Sequence, residues 1–341
     1  MKSAYMRRRG IVIIGTGRIA AVHALSVRRN PALELTGFVN EFEAGDLPQS
    51  VGVPCFPSLA TAVERLRPEG LVIASPTATH VEYLKQALGF GLPSLCEKPV
   101  ALTRQPIAEA VEAVRIADIP VILGFHRRFD PYRREVKDKI GQGLIGSIEH
   151  LLQISRDPRL PDRGVIAHQG GIVADMIIHD LDELLWLVGR PPERVHAALA
   201  NNVDKSLAEL DDHDSVAVQL EWEDGPVAHI TATRRAAHGF EQRLEVFGSQ
   251  GRLICGDPMT SPVVFDGAEA TCLPRRHEHF PDRYQAAYQA EIDHLASLLA
   301  GRAAPISTIL DGLNAFDLLE RVNAAAGRLP VSEDLPAAGR S

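Results

Sequence analysis

Cysteine is scarce in this sequence, with 4 in 341 residues. Cys55, Cys96, Cys255 and Cys272 stand far apart and form no C-x-x-C pair. That argues against a disulfide framework or a cysteine zinc site, and for reduced, mostly buried thiols in a cytoplasmic compartment. Positive charge is in deficit too. The formal net charge is −8 and no basic run is long enough to reverse it, so nucleic acid is not an expected partner. No stretch reaches the roughly 18 uninterrupted apolar residues of a membrane span, so no membrane is expected either. Arg7-Arg8-Arg9 precedes an apolar run, but Ile11–Ile14 is far shorter than the core of an export signal and leads straight into a glycine turn. A loose basic arm is the expectation there. Internal repeats and low-complexity tracts are also missing.

What remains is a soluble globular chain, 45% hydrophobic and 23% charged, too long for one ordinary core. Two domains are expected. Residues 10–15, G-I-V-I-I-G, read as a strand buried on both faces. The turn G-T-G-R-I-A follows at once, with Gly15, Gly17 and Ala20 in G-x-G-x-x-A spacing, and 21–29 reads as a helix. Gly15 permits the tight turn, Gly17 lets the backbone approach a pyrophosphate, and Ala20 lets helix and strand pack closely. Thr16, Arg18 and Ile19 complete that turn as cofactor-binding candidates. A second strand, 34–39, ends at Asn40, where an acidic residue usually holds the adenosine ribose. Asn40 lacks the charge that repels a 2′-phosphate, although Glu41 can supply it. NAD is the expected cofactor, with NADP not excluded.

Strands and helices then alternate through 59–67, 70–74, 80–89, 93–96, 104–117 and 121–125, the pattern of a doubly wound parallel sheet with ligands at the carboxyl ends of its strands. Ser75, Pro76, Thr77 and His80 lie at one such end, Glu97-Lys98-Pro99 at another, and His126 and Arg127 at a third. A lysine near a bound nicotinamide can donate or accept a proton or hold a substrate hydroxyl.

The stretch 170–182, G-G-I-V-A-D-M-I-I-H-D-L-D, is the chemical focus of the second half. It reads as a largely apolar, buried helix from the Gly-Gly turn to about Val188. Asp175, His179 and Asp182 recur at i, i+4 and i+7, which stacks them on one side. Two readings stand: a structural Asp–His ion pair, or an orienting carboxylate behind a proton-transferring imidazole.

Together G-T-G-R-I-A at 15–20, S-P-T-A-T-H at 75–80, E-K-P at 97–99, G-F-H-R-R-F-D-P at 124–131, S-R-D-P at 155–158 and the stretch 170–182 resemble the Gfo/Idh/MocA oxidoreductase family, and within it the inositol 2-dehydrogenase group. The resemblance implies that Lys98, Asp175 and His179 form the catalytic set. It also implies that Arg127, Asp157 and His168 help line the substrate pocket; His126, a further substrate-binding candidate, is a departure or variable position, and Glu97 is a cofactor-binding candidate. Asn40, where Asp is usual, departs from the pattern.

Past about residue 129 the alternation stops. A helix at 132–142 and a strand at 147–155 precede the central helix. Runs of β type follow at 194–201, 215–223, 226–235, 243–247 and 251–256, and closing helices at 283–300 and 309–326. The expected architecture is a Rossmann-type α/β domain over 1–128 and an α+β domain over 129–341, the latter with a large, mostly antiparallel, open-faced sheet. By resemblance the open face is a subunit interface, making the chain a homo-oligomer, a tetramer or dimer. The expected activity is oxidation of a ring hydroxyl of a cyclic polyol, first an inositol, with an aldose, glycoside or anhydrosugar as alternatives. Two other classes are a metal enzyme using Asp175, His179 and Asp182, and a dinucleotide-binding regulator without turnover. The first leaves the glycine turn and Lys98 unexplained, and the second has no use for a proton relay.

Overall fold

The computed structural model describes residues 7–41, 45–167 and 170–327. The chain forms two compact units, one of residues up to Asp130 with Ala286–Leu313, the other of Pro131–Gln285 with the residues from Asn314 onward.

In the first unit six parallel strands are ordered β3-β2-β1-β4-β5-β6: β1 (Arg9–Ile14), β2 (Leu33–Val39), β3 (Cys55–Phe56), β4 (Gly70–Ile73), β5 (Ser94–Glu97) and β6 (Val121–Gly124). Ile11, Val12, Ile13 and Ile14 are all fully buried, which explains why β1 is apolar on both faces. Helices α1 (Arg18–Arg29), α2 (Leu47–Val51), α3 (Leu59–Leu66), α4 (His80–Gly89) and α5 (Arg104–Ala117) make the crossovers. The strand order reverses between β1 and β4, and at such a switch point nucleotides bind outside the carboxyl ends. Arg9 is not part of a loose arm. It opens β1, and its guanidinium donates to Glu69 at 2.9 Å.

The expected second domain over 129–341 needs correction at its far end. Ile292, Leu295, Ala296 and Leu298 of the helix Gln285–Leu299 join the core of Ile11, Val27, Phe38 and Leu95, so 286–313 belongs to the first unit. Burial of these apolar side chains against the parallel sheet is the physical reason.

The second unit holds a six-stranded sheet in the order β12-β11-β7-β10-β9-β8. Its strands are β7 (Ile148–Arg156), β8 (Arg194–Ala200), β9 (Ser215–Glu221), β10 (Val227–Thr233), β11 (Glu241–Gly248) and β12 (Gly251–Cys255). All pairings are antiparallel except the central one, where β7 and β10 run parallel. Burial alternates along β9, β10 and β11, so Val218, Leu220, Ile230, Leu244 and Val246 face the core and intervening residues face away. Helix α6 (Pro131–Gly141), the short α7 (Arg163–Ile166) and α8 (Ile178–Val188) belong to this unit. The central helix is not one regular α-helix from the Gly-Gly turn. Residues Val173–Ile177 form a π-helical turn before α8 begins. A π turn closes i to i+5, so side chains on either side of it do not keep the i, i+4, i+7 stacking of an α-helix.

Candidate active site

The glycine turn has the build of a phosphate cradle. Gly15 sits at φ +102°, and a Cβ there would lie 2.5 Å from the Ala74 carbonyl oxygen, so only glycine fits. A Cβ on Gly17 would meet nothing within 4 Å, which leaves the backbone open to a ligand, while Ala20 is fully buried against the sheet. Gly17 caps α1 without a side-chain hydrogen bond, and the first turn contains no acidic residue. A 12-residue helix opening this way favours a bound pyrophosphate. Thr16 is half-buried, Arg18 exposed and Ile19 half-buried along the same turn. Asn40, at the end of β2, donates from Nδ2 to the Thr16 hydroxyl at 2.8 Å, tying the ribose end of the site to the glycine turn. Glu41 is engaged elsewhere. It accepts the Tyr83 hydroxyl at 2.7 Å, and burial together with that carboxylate pushes the Tyr83 pKa up.

The loop after β4 is internally braced. The Ser75 and Thr79 hydroxyls lie 2.7 Å apart, and Thr79 donates to the Pro76 carbonyl at 2.8 Å, leaving Pro76 exposed and Thr77 half-buried. Two residues expected at the cofactor site also brace its loops. The His80 ring is 1% exposed, with Nδ1 2.9 Å from the Pro99 carbonyl oxygen and Nε2 2.8 Å from that of Ser75. It clamps the Ser75 loop to the Lys98-Pro99 loop, and burial lowers its pKa. Glu97 points inward. Its Oε1 lies 2.7 Å from His23 Nε2, and its Oε2 accepts the Lys98 backbone N–H at 3.2 Å. Lys98 remains half-buried at the carboxyl end of β5. His126 and Arg127 occupy a short 3-10 turn after β6 and are nearly buried, with the His126 ring packed on Tyr288 at a centroid distance of 5.2 Å.

In the second unit the carboxyl ends of β7 and β10 gather charge. The Asp157 N–H donates to the Thr233 carbonyl at 3.0 Å, which sets Asp157 beside the residue after Thr233, Arg234. Arg234 is fully buried. Its Nη1 is 2.8 Å from Asp212 Oδ2, and its Nη2 is 3.6 Å from Asp175 Oδ2. Asp212 also accepts the Ile172 and His213 backbone N–H groups at 2.8 and 2.7 Å. Arg234 and Asp212 therefore fasten both ends of the segment Ile172–Asp175. His179, half-buried, is the second residue of α8. The roll of that helix is set by Asp180, 2.7 Å from the Ser155 hydroxyl, and by Glu183, which accepts the Gln153 amide at 2.8 Å.

Asp182 is 1% exposed, whereas the Asp175 side chain is 24% exposed. Among the described residues, Asp175, His179 and Asp182 do not gather as a donor set, so the metal-enzyme alternative loses its geometric basis. His168 lies outside the described residues. Sequence reasoning missed Arg234 and Asp212. The run Asp211-Asp212-His213-Asp214 and the Arg234-Arg235 pair were visible, but nothing local couples residues 22 apart.

The family described as "Oxidoreductase family, NAD-binding Rossmann fold" matches residues 9–125, and "GFO/IDH/MocA C-terminal domain" matches residues 133–254. The chain is 32% identical over 309 residues to the inositol 2-dehydrogenase of Rhizobium meliloti (strain 1021), covering 90% of this chain and 94% of that one. A crystal structure of a myo-inositol dehydrogenase from Corynebacterium glutamicum ATCC 13032 is 35% identical, with a TM-score of 0.88 over 94% of this chain and 98% of that one. The scyllo-inositol dehydrogenase from Lactobacillus casei, solved with bound cofactor NAD(H) and scyllo-inositol, is 26% identical, with a TM-score of 0.85 over 94% of this chain and 97% of the other. With a phosphate-cradling turn at the switch point of a parallel sheet and both halves matched, the chain belongs to the GFO/IDH/MocA family of NAD-binding oxidoreductases.

Proposed function

We propose that this enzyme oxidises a secondary ring hydroxyl of an inositol, using NAD. The observation that carries the substrate class is the pair of partly exposed carboxylates, Asp157 and Asp175, at one end of the second sheet, with Asp175 held from behind by the buried Arg234. Polar groups built to hydrogen-bond hydroxyls reject analogues that lack them, and a polyol presents many. The inositol dehydrogenases similar to this chain support the same choice.

The nicotinamide, when bound, accepts the hydride. Gly15, Gly17 and the start of α1 hold its pyrophosphate, with Thr16, Asn40, Ser75 and Thr77 nearby. His179 takes the hydroxyl proton, Asp175 stabilises the imidazolium that results, and Lys98 hydrogen-bonds the reacting oxygen and lowers its pKa. His126, Arg127, Asp157 and His168 select among polyols. The test is absorbance of reduced nicotinamide, with NAD and NADP separately, against inositols, aldoses and glycosides. Reduction of NAD with an inositol is the expected result. Reduction only with an aldose or glycoside would move the substrate within the family, and silence across the panel with cofactor still binding would favour a regulator without turnover.

We further propose a homo-oligomer, a tetramer or dimer, built on the outward face of the second sheet. His150, Leu152 and Ile154 of β7 and His229 and Thr231 of β10 lie on that face only half-buried, and Phe247 of β11 is 46% exposed. Leu152, Ile154 and Phe247 form the apolar part of this otherwise polar face, and a second copy is expected to cover it. Light scattering should give a multiple of the chain mass, and Ile154→Glu should reduce it. A monomer at every working concentration would sink the idea. With all four cysteines free, a reducing cytoplasm is the proposed location. Recovery of the tagged protein in an exported fraction would count against it.

A further inference from the structure

Behind Lys98 the first unit buries a titratable cluster that the proposed reaction does not use. His23 on α1, Glu97 at the end of β5 and Glu291 on the helix Gln285–Leu299 each bring a donor atom within 4.8 Å of the others. They are 0%, 7% and 0% exposed. Glu97 is well satisfied, with His23 Nε2 on one oxygen and the Lys98 N–H on the other. It also has little room to move. A Cβ on Gly124 would lie 3.1 Å from its Oε2, so that residue is a glycine where the carboxylate passes. Glu291 has no such support, and neither of its carboxylate oxygens has a hydrogen-bond partner.

A fully buried carboxylate with no partner, beside a second carboxylate, is costly while both are ionised. A single proton on the pair removes the repulsion, and it belongs on the member without hydrogen bonds. Burial, and then the charge of Glu97, push the Glu291 carboxyl well above the usual carboxylate range. Among the described residues, Glu97 from β5 and His23 from α1 bring donor atoms up to Glu291. His126 adjoins them through Tyr288, whose ring meets the edge of His23 at 5.7 Å.

We propose that Glu291 is a positioning residue, a neutral carboxylic acid that with His23 keeps Glu97 seated on the Lys98 backbone and so fixes where the lysine side chain starts. The proposal rests on Lys98 serving the reaction, as set out above. Were Glu291 ionised, it would repel Glu97 from the Lys98 N–H, and an error of about 1 Å in a catalytic group can cost about 100-fold in rate.

A raised folded-state pKa means that the folded protein binds more protons than the unfolded chain between the unfolded glutamate value, about 4.3, and the raised one. Stability therefore falls as pH rises through that window. Glu291→Gln, which mimics the neutral acid, removes the fall.

The experiment compares thermal unfolding of the full chain, free of cofactor and substrate, for wild type and Glu291→Gln from about pH 5 to about pH 9. Turnover and KM are measured alongside for Glu291→Ala and Glu291→Gln. The variant should gain in Tm over wild type steadily as pH rises. Glu291→Ala, which empties the space beside the Glu97 carboxylate and lets it shift, should lose roughly 10-fold to 100-fold in kcat with little change in KM, and the glutamine, which refills that space without charge, should recover most of the loss. A Tm difference constant across pH overturns the proposal, even where Lys98→Ala loses turnover normally. So does a stoichiometric divalent ion in the purified protein that Glu291→Gln releases. A pH-dependent Tm gain with full turnover in Lys98→Ala would instead overturn the positioning role together with the lysine's own.

Discussion

His179→Ala and Lys98→Ala should each lower turnover roughly 10²–10⁴-fold, the range typical of lost general acid–base catalysis. The expectation has a physical basis in each unit. His179 rides on a helix whose roll is locked by Asp180 on Ser155 and Glu183 on Gln153, so its imidazole leaves the scaffold from a fixed start. Lys98 leaves a backbone held by the Glu97 carboxylate. Neither residue belongs to the glycine turn, so both variants should retain the affinity of wild type for NAD, measured by fluorescence titration. A fall in kcat and in kcat/KM by the same factor would mark an interaction made only in the transition state. A rise in KM alone would make the residue a substrate anchor instead. The double variant should lose far less than the product of the single losses, because residues that act as a unit are not additive. Near-full turnover in both single variants would end the proposed proton handling.

Much of this frame was legible beforehand because parallel strands buried on both faces read as unbroken apolar runs, as Ile11–Ile14 does, and because the glycine turn follows at fixed spacing. The helix 283–300 was also readable, but its apolar residues fit either core, and only tertiary packing assigned Ile292 and Leu295 to the first unit. The π turn left no trace in residues 173–177, since V-A-D-M-I suits an α-helix equally well. In Glu97-Lys98-Pro99 the resemblance assigned the glutamate to the cofactor site. Its carboxylate turns inward because a histidine 74 residues earlier is waiting for it, and no local pattern encodes that. Candidate side chains were thus found by motif, and the groups that hold them were not.

The second large effect concerns one of those holding groups. Arg234→Met should destabilise the second unit by about 3–5 kcal/mol, the usual cost of removing one partner from a buried ion pair. Arg234 and Asp212 have side chains 1% and 3% exposed and approach to 2.8 Å, so water cannot take over the charge that is left. Methionine fills similar volume, which keeps the loss from being a cavity effect. For a unit of this size each kcal/mol moves Tm by roughly 2–4 °C, so a drop of about 10 °C is expected in calorimetry. Asp212 retains the Ile172 and His213 N–H groups, which places the result toward the lower part of the range. Two comparisons separate the ion pair from general damage. Replacing Arg234 and Asp212 together by Met and Asn should cost less than the two single changes summed, because the orphaned charge is gone. Arg234→Lys should keep part of the stability but, lacking the planar fork, should hold Asp212 and reach Asp175 less well, and so lower kcat more than it lowers Tm. An unchanged Tm in Arg234→Met would mean that the pair contributes nothing, and the Ile172–Asp175 segment would then be held by the Asp212 bond to the Ile172 N–H and by the packing of its apolar residues.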